Sequence, residues 1–180
     1  MENETNSTYP GQDNGEITQR VVYKHIAAIA LVLLGMVFLG LFAIACVIYL
    51  NINKQQIENV VPAIFVNIIG FIFIALIVSL TVATIWIWRR NKVIITNRHI
   101  VDIDQIGLFN LDISTLRLEE IQDISARVNG VFQTALNYGT VIIQTAGERE
   151  NFVLDYVPKP HELEDYIIDL RAKYYPKDNS

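Results

Sequence analysis

The sequence predicts a two-helix transmembrane hairpin followed by a mainly-β domain, in which an antiparallel meander curls into a sandwich or partly open barrel capped by one C-terminal α-helix. Three observations support this fold class. Two long uncharged apolar runs lie in the first half of the 180-residue chain. Alternation of apolar and polar residues begins at Lys92, directly after the second run. An amphipathic helical pattern closes the chain from about Pro160.

The composition argues against several classes of function. The net charge is −5, and nine basic residues stand against fourteen acidic ones from residue 91 onward. A nucleic-acid binder would show the opposite balance. The single cysteine, Cys46, permits no intramolecular disulfide, and the three histidines lack metal-ligand spacing. The sequence contains no nucleophile elbow and no glycine-rich phosphate loop. We therefore expect a non-enzymatic protein with no metal and no other cofactor.

Residues 1–19 are polar, contain breaker pairs and show no hydrophobic period, so we expect a disordered N-terminal tail. Residues 20–90 are assigned to the two spans and their flanks. The first span covers about residues 26–50, with Tyr23 and Tyr49 as expected interfacial anchors. A cleaved secretory signal is the competing interpretation, but this apolar run is far longer than the hydrophobic part of a signal peptide.

The second span covers about residues 60–88. Four residues at its end are expected to anchor it at the membrane interface: Trp86, Trp88, Arg89 and Arg90. Basic residues are enriched before the first span and after the second, whereas the short connection carries only Lys54. The distribution predicts a multi-pass protein of the cell membrane with both termini in the cytoplasm.

Small and polar residues recur along one side of the second span, at Asn67, Ala75, Ser79 and Ala83. Small residues at this spacing let another helix approach closely, and an Asn in hydrocarbon seeks a hydrogen-bond partner. Two interpretations are open. The stripe contacts the chain's own first span, or it serves self-association or docking on a partner membrane protein.

The folded domain is expected over residues 91–174, with a short tail at 175–180. Alternating patterns predict strands at 92–96, 99–105, 111–118, 121–128, 140–145 and 151–156, and a helix at 160–173. Asp102 and Asp104 fall on one face of the second of these strands. A two-residue repeat of this kind is typical of a solvated strand face, so we expect no metal there.

Four short stretches occur in order along this domain: VIITNRHI at 93–100, IGLF at 106–109, LEEIQDI at 118–124 and YGTVIIQTAG at 138–147. They resemble the successive signatures of the membrane-flanked bacterial pleckstrin-homology-like (PH-like) family of the YdbS type. The resemblance covers roughly residues 92–170. It implies a cytoplasmic PH-like domain attached to two spans, with no established catalytic activity. His99 departs from the family, which more often has a second Arg there.

The favoured function is a protein-interaction or scaffolding module within a membrane complex, with membrane lipids, a partner membrane protein or a second copy as partners. Its expected contact surfaces are the stripe of the second span and a candidate interaction loop of Val131, Phe132, Leu136 and Tyr138. The competing interpretation of this loop is that Phe132 and Leu136 fold back into the core.

The alternative function is binding of anionic phospholipid headgroups, by analogy with eukaryotic PH domains. Its candidate contact residues lie at the first hairpin of the domain: Lys92, Arg98 and His99.

Overall fold

The computed structural model describes residues 9–13, 15–53, 62–145 and 151–176. The elements follow in the order β1 (Thr18–Tyr23), α1 (Ala27–Ile52), α2 (Ala63–Trp88), β2 (Lys92–Thr96), β3 (His99–Ile106), β4 (Asn110–Arg117), a 3-10 turn (Leu118–Glu120), β5 (Ile121–Arg127), α3 (Val131–Leu136), β6 (Tyr138–Thr145), β7 (Phe152–Pro158) and α4 (Pro160–Tyr174). The chain forms two compact units, a helical hairpin at 29–86 and a domain built from the residues on both sides of it.

The hairpin consists of α1 and α2, which are 26 residues each and carry no charged side chain. At ~1.5 Å per residue each helix is about 39 Å long, more than the ~30 Å hydrocarbon core of a bilayer. Both helices are long and apolar enough to cross a membrane. Only 6% and 11% of their most apolar 18-residue stretches are buried within the structure. The predicted hairpin of two candidate spans is confirmed.

The contact between the two helices includes residues of α2 that lie outside the predicted stripe. Ile77 is buried there, and Gly70 lies so close to Val47 of α1 that a side chain at this position would collide with it. Ala75 and Ser79 are exposed. The interpretation that the stripe contacts the chain's own first span is therefore wrong for these two residues.

Two further members of the stripe behave differently. Asn67 receives a hydrogen bond of 2.9 Å from Asn51 of α1, so the predicted partner of this amide lies within the hairpin. Ala83 is half-buried.

The strand β1 precedes the spans in sequence and pairs antiparallel with β2, which follows them. Tyr23 lies opposite Lys92, and Val22 lies opposite Val93. The predicted disorder of residues 1–19 is corrected for residues 9–13 and 15–19, which belong to the domain; residues 1–8 and 14 lie outside the described residues. β1 was missed because its pairing partner stands about seventy residues later, beyond any local pattern.

This pairing constrains the membrane topology. β1, which precedes α1, and β2, which follows α2, are neighbouring strands of one sheet. Both flanks of the hairpin therefore belong to one domain and must lie on the same side of any membrane that the hairpin crosses.

The domain contains two antiparallel sheets, one in the order β1-β2-β3-β4 and one in the order β5-β6-β7. Its main core is formed by residues of both sheets and of α4, including Val93, Ile100, Val141, Leu163 and Ile167. A smaller cluster on the other face of the first sheet consists of Tyr9, Ile94 and Val101. The predicted strands and the capping helix are thus confirmed. Of the predicted C-terminal tail, residues 177–180 lie outside the described residues.

Candidate functional site

The candidate lipid-contact residues do not all come together. Arg98 and His99 lie at the tight β2–β3 turn, where the Thr96 hydroxyl accepts hydrogen bonds from the backbone N–H groups of Arg98 at 3.1 Å and His99 at 2.7 Å. Lys92 lies at the opposite end of β2, across from Ile103. The structure therefore separates Lys92 from the other two.

The chain's own N-terminal segment supplies an anion at this turn. The Glu16 side chain is fully buried, and one of its oxygens accepts a hydrogen bond from Thr96 Oγ1 and lies 2.9 Å from His99 Nδ1. The other oxygen accepts hydrogen bonds from Tyr9 Oη at 2.9 Å and from the backbone N–H of Asp13 at 3.1 Å. We call these residues the Glu16 cluster.

Hydrogen bonding decides the charge state of the cluster. Burial alone would raise the pKa of Glu16, but the hydrogen bonds from Thr96, His99, Asp13 and Tyr9 together hold the pKa below its ordinary value. Burial and the neighbouring Glu16 carboxylate raise the pKa of Tyr9. The carboxylate of Glu16, whose pKa is lowered, thus lies directly beside the β2–β3 turn.

The same cluster contains the groups that could hold a cation. Ligand atoms of Asp13, Glu16 and His99 lie within 4.8 Å of one another. The Asp13 carboxylate also lies 3.9 Å from the guanidinium of Arg98 on the surface. Both Glu16 oxygens already accept hydrogen bonds from protein groups.

A second polar cluster joins Lys24, the residue directly after β1, to β3. Lys24 Nζ lies 3.3 Å from Asp102 Oδ2 and 2.5 Å from Asp104 Oδ1. Lys24 and Asp102 are buried, so the interpretation of both aspartates as a solvated strand face is wrong for Asp102. The strand pattern alone could not predict this burial, because Lys24 precedes the spans and lies 78 residues before Asp102.

The environment of Asp102 is unfavourable for its charge. Burial raises the pKa of Asp102 to about 6, with Lys24 opposing the shift and Asp104 and Asp155 adding to it. Oδ1 of Asp102 is buried and has no hydrogen-bond partner among the described residues.

The candidate interaction loop forms the short helix α3. Val131, Phe132 and Leu136 are exposed, so they do not fold back into the core. Tyr138 differs, because it begins β6 as a buried residue whose ring stacks on that of His25 at 4.8 Å. The candidate surface therefore consists of three residues rather than four.

A groove that sequence reasoning missed lies between β5 and α4. Its volume is about 370 Å³, and its lining comprises Ile121, Gln122, Asp123, Ile124, Ile168, Arg171, Ala172 and Tyr175. β5 is an edge strand of the second sheet. Nε of Arg171 is buried and has no hydrogen-bond partner among the described residues. The sequence contains one sign of this groove, because Ile168 is apolar but lies outside the buried stripe of α4.

The residues expected to anchor the spans lie at or near the helix ends. Arg89 and Arg90 directly follow α2 and are exposed, whereas Trp88 is half-buried. Large exposed aromatic surfaces are present at Tyr23, Tyr49 and Trp86. Their role as anchors stays a prediction.

An antiparallel meander of two sheets closed by one C-terminal helix defines a protein of the PH-like class. The model of the bacterial PH domain family (bPH_2) matches residues 17–171, and the protein therefore belongs to this family. The matched region begins just before β1, in agreement with the place of this strand in the domain.

One solved structure is similar, the crystal structure of a DUF1696 family protein with a pleckstrin-homology domain from Shewanella loihica PV-4. The sequences are 14% identical, the TM-score is 0.37, and the similarity covers 46% of this chain and 71% of the other. No curated protein sequence matches the chain.

Proposed function

We propose that this bacterial PH domain protein is a non-enzymatic, multi-pass protein of the cell membrane whose cytoplasmic PH-like domain docks an extended segment of a partner protein. Membership of the YdbS type is part of the same proposal. The observation that supports it best is the outer edge of β5 beside the groove with α4.

Edge strands present unpaired backbone N–H and C=O groups, and an extended peptide can add to such an edge as a further strand. Among the described residues, β5 pairs with β6 alone. Gln122 and Asp123 of β5 are exposed beside the groove. A peptide strand at this edge would satisfy backbone groups and direct alternate side chains into the groove.

The groove also indicates the chemistry of the docked segment. Ile168 offers an apolar surface, because it is 47% exposed. The buried Nε of Arg171 lacks an acceptor among the described residues, and a carboxylate or carbonyl oxygen would satisfy it. We therefore expect an extended segment with an aliphatic or aromatic residue and an acidic residue near it.

The cytoplasmic placement is supported by the distribution of basic residues. Arg20 and Lys24 precede α1, and Arg89, Arg90 and Lys92 follow α2, in keeping with the enrichment of Lys and Arg in cytoplasmic flanks. The pairing of β1 with β2 requires these two flanks to share one side.

The described contacts favour protein docking over binding of anionic headgroups. Arg98 and His99 face the carboxylates of Asp13 and Glu16, and the chain from residue 91 onward carries a net charge of −5. An anionic headgroup at this turn would be repelled by these two carboxylates, which carry the same charge.

The test places a photo-crosslinking amino acid at Gln122 in cells, identifies the adduct by mass spectrometry, and measures binding of the purified partner segment to the full-length protein in detergent. Ile168→Asp should weaken this binding by about tenfold or more, since a buried aliphatic side chain contributes ~1.5–3 kcal/mol. The matched control is Val153→Asp, at a position of similar exposure on β7. Absence of a protein adduct at Gln122, or equal binding to wild type and Ile168→Asp, would contradict the proposal.

A further inference from the structure

We propose that the β3–β4 turn and helix α3 insert into the headgroup region of the bilayer that holds α1 and α2. The inference rests on the membrane placement proposed above and assigns a function to apolar surfaces that the groove does not use. Its basis is the position of these surfaces within the domain.

Both covalent connections to the spans leave from one end of the first sheet. Tyr23 at the end of β1 lies opposite Lys92 at the start of β2. Three residues, 24–26, link β1 to α1, and three residues, 89–91, link α2 to β2. Three extended residues reach roughly 10 Å. This end, which we call the junction end, must therefore stay close to the membrane surface.

The β3–β4 hairpin extends past the start of β2 at the junction end. Lys92 lies opposite Ile103, and β3 continues for three more residues to Ile106, which pairs with Asn110. At ~3.3 Å per residue this places the turn about 10 Å beyond Lys92. A hydrogen bond of 2.8 Å from Gln105 N to Asn91 Oδ1 holds the hairpin beside the chain that connects to α2.

The residues of this turn are apolar and exposed. Phe109 is 94% exposed, and Ile106, Leu108 and Leu111 are each more than half exposed. Gly107, with a φ of +78°, allows the tight reversal that presents them. A cluster of large apolar side chains at a hairpin tip is unfavourable in water and marks a membrane or protein contact.

A second exposed apolar segment lies near the other connection. Asn137 follows α3 and precedes Tyr138, whose ring stacks on His25, and His25 stands two residues before α1. The His25 N–H also donates to Tyr156 O at 2.7 Å, which fixes β7 at the same place. On α3, Phe132 is 78% exposed and Val131 is 80% exposed. Two separate apolar tips thus lie at the junction end.

The chemistry of the neighbouring residues limits how deeply these tips enter. Arg89 and Arg90 directly follow α2 at this end, in keeping with the enrichment of basic residues at the cytoplasmic membrane surface. Asp104 and Asp112 lie across from each other only two residues back from the hairpin tip, and charged carboxylates resist entry into hydrocarbon. We therefore infer shallow insertion, with Phe109 at the level of the headgroups and the strands above it.

The experiment compares three single-cysteine proteins in liposomes, each labelled with an environment-sensitive fluorophore and exposed to lipids that carry a quencher. Native Cys46 in α1 reports whether the spans enter the bilayer. Phe109→Cys in a Cys46→Ser background reports on the tip. Glu119→Cys in the same background is the control, because Glu119 is exposed near the opposite end of the sheet, two residues after Arg117, which pairs with His99.

The expected result is strong quenching at Cys46, and quenching at position 109 that is severalfold stronger than at position 119. Equal, weak quenching at 109 and 119 with strong quenching at Cys46 would overturn the inference while leaving the membrane placement intact. Weak quenching at Cys46 would overturn both. Blue-shifted emission at 109 without lipid quenching would assign the tip to a contact between protein copies and would also overturn the inference.

Discussion

Replacement of Glu16 by Ala tests whether the segment before the spans is an integral part of the domain. The change removes a buried carboxylate that accepts hydrogen bonds from Tyr9, Asp13 and Thr96 and contacts His99. Hydrogen bonds to charged groups contribute ~1.5–3 kcal/mol each, but they are not additive, and some donors will find water. We expect a loss of about 3–5 kcal/mol in the free energy of unfolding of the domain.

The assay is thermal and urea unfolding of the full-length protein in detergent. A loss of that size corresponds to a fall in melting temperature of more than roughly 10 °C for a domain of about 100 residues. The control is Glu119→Ala, because the pair of Glu119 with Arg117 is exposed and contributes less than about 1 kcal/mol. If Glu16→Ala and Glu119→Ala unfolded alike, the assignment of the N-terminal segment to the domain would be refuted.

The pH dependence of stability in a second variant, Glu16→Gln, tests the same carboxylate. Because the folded-state pKa of Glu16 is below its ordinary value of 4.5, its contribution is fully present above that pH. The contribution is lost as the pH falls through the folded-state pKa. The stability difference between wild type and Glu16→Gln should therefore be constant from pH 6 to 8 and shrink below about 4.5.

Two other substitutions test the remaining packing. Asp102→Asn should stabilise the protein at pH 8 by at most about 3 kcal/mol, because a folded-state pKa of about 6 against the ordinary 3.8 means that ionisation of Asp102 opposes folding. This gain in stability should shrink between pH 6 and 4. A loss of stability at pH 8 would show instead that the pair of Asp102 with Lys24 is net stabilising. Gly70→Val should separate α1 from α2, because the new side chain would collide with Val47, whereas a side chain at Gly35 meets open space and Gly35→Val should have no such effect. Cysteine crosslinking between the two helices measures the separation in both variants. Equal crosslinking in the two variants would contradict this packing.

Local patterns were sufficient to predict the spans, the strands from β2 to β7 and the capping helix. The spans are recognisable as continuous uncharged apolar runs, and in a strand such as β3 the apolar residues alternate, as Val101 and Ile103 do. β1 could not be predicted in this way, because its pairing with β2 brings together residues separated by the whole hairpin. The burial of Asp102 escaped prediction for the same reason, since its partner Lys24 stands on the far side of the spans.

The candidate site depended even more on tertiary structure. Whether β5 is an edge strand follows from the order of the strands in the sheet, which its own residues do not encode. The apolar character of the α3 residues marks them as candidate contacts, but the same character does not distinguish Tyr138, a buried strand residue, from its exposed neighbours. The carboxylates of Asp13 beside Arg98 and of Glu16 beside His99 likewise come from a distant part of the chain, which no local pattern indicates.

The most direct test of the account is the sidedness of the two flanks of the hairpin. Single cysteines at Ile17 before α1, at Gln55 between the helices and at Asp165 on α4 can be labelled with a membrane-impermeant maleimide in a Cys46→Ser background. Positions 17 and 165 should react only in inverted vesicles, and position 55 should react only in right-side-out vesicles. Reaction of 17 and 165 on opposite sides would contradict the shared domain, and reaction of both from outside would contradict its cytoplasmic placement.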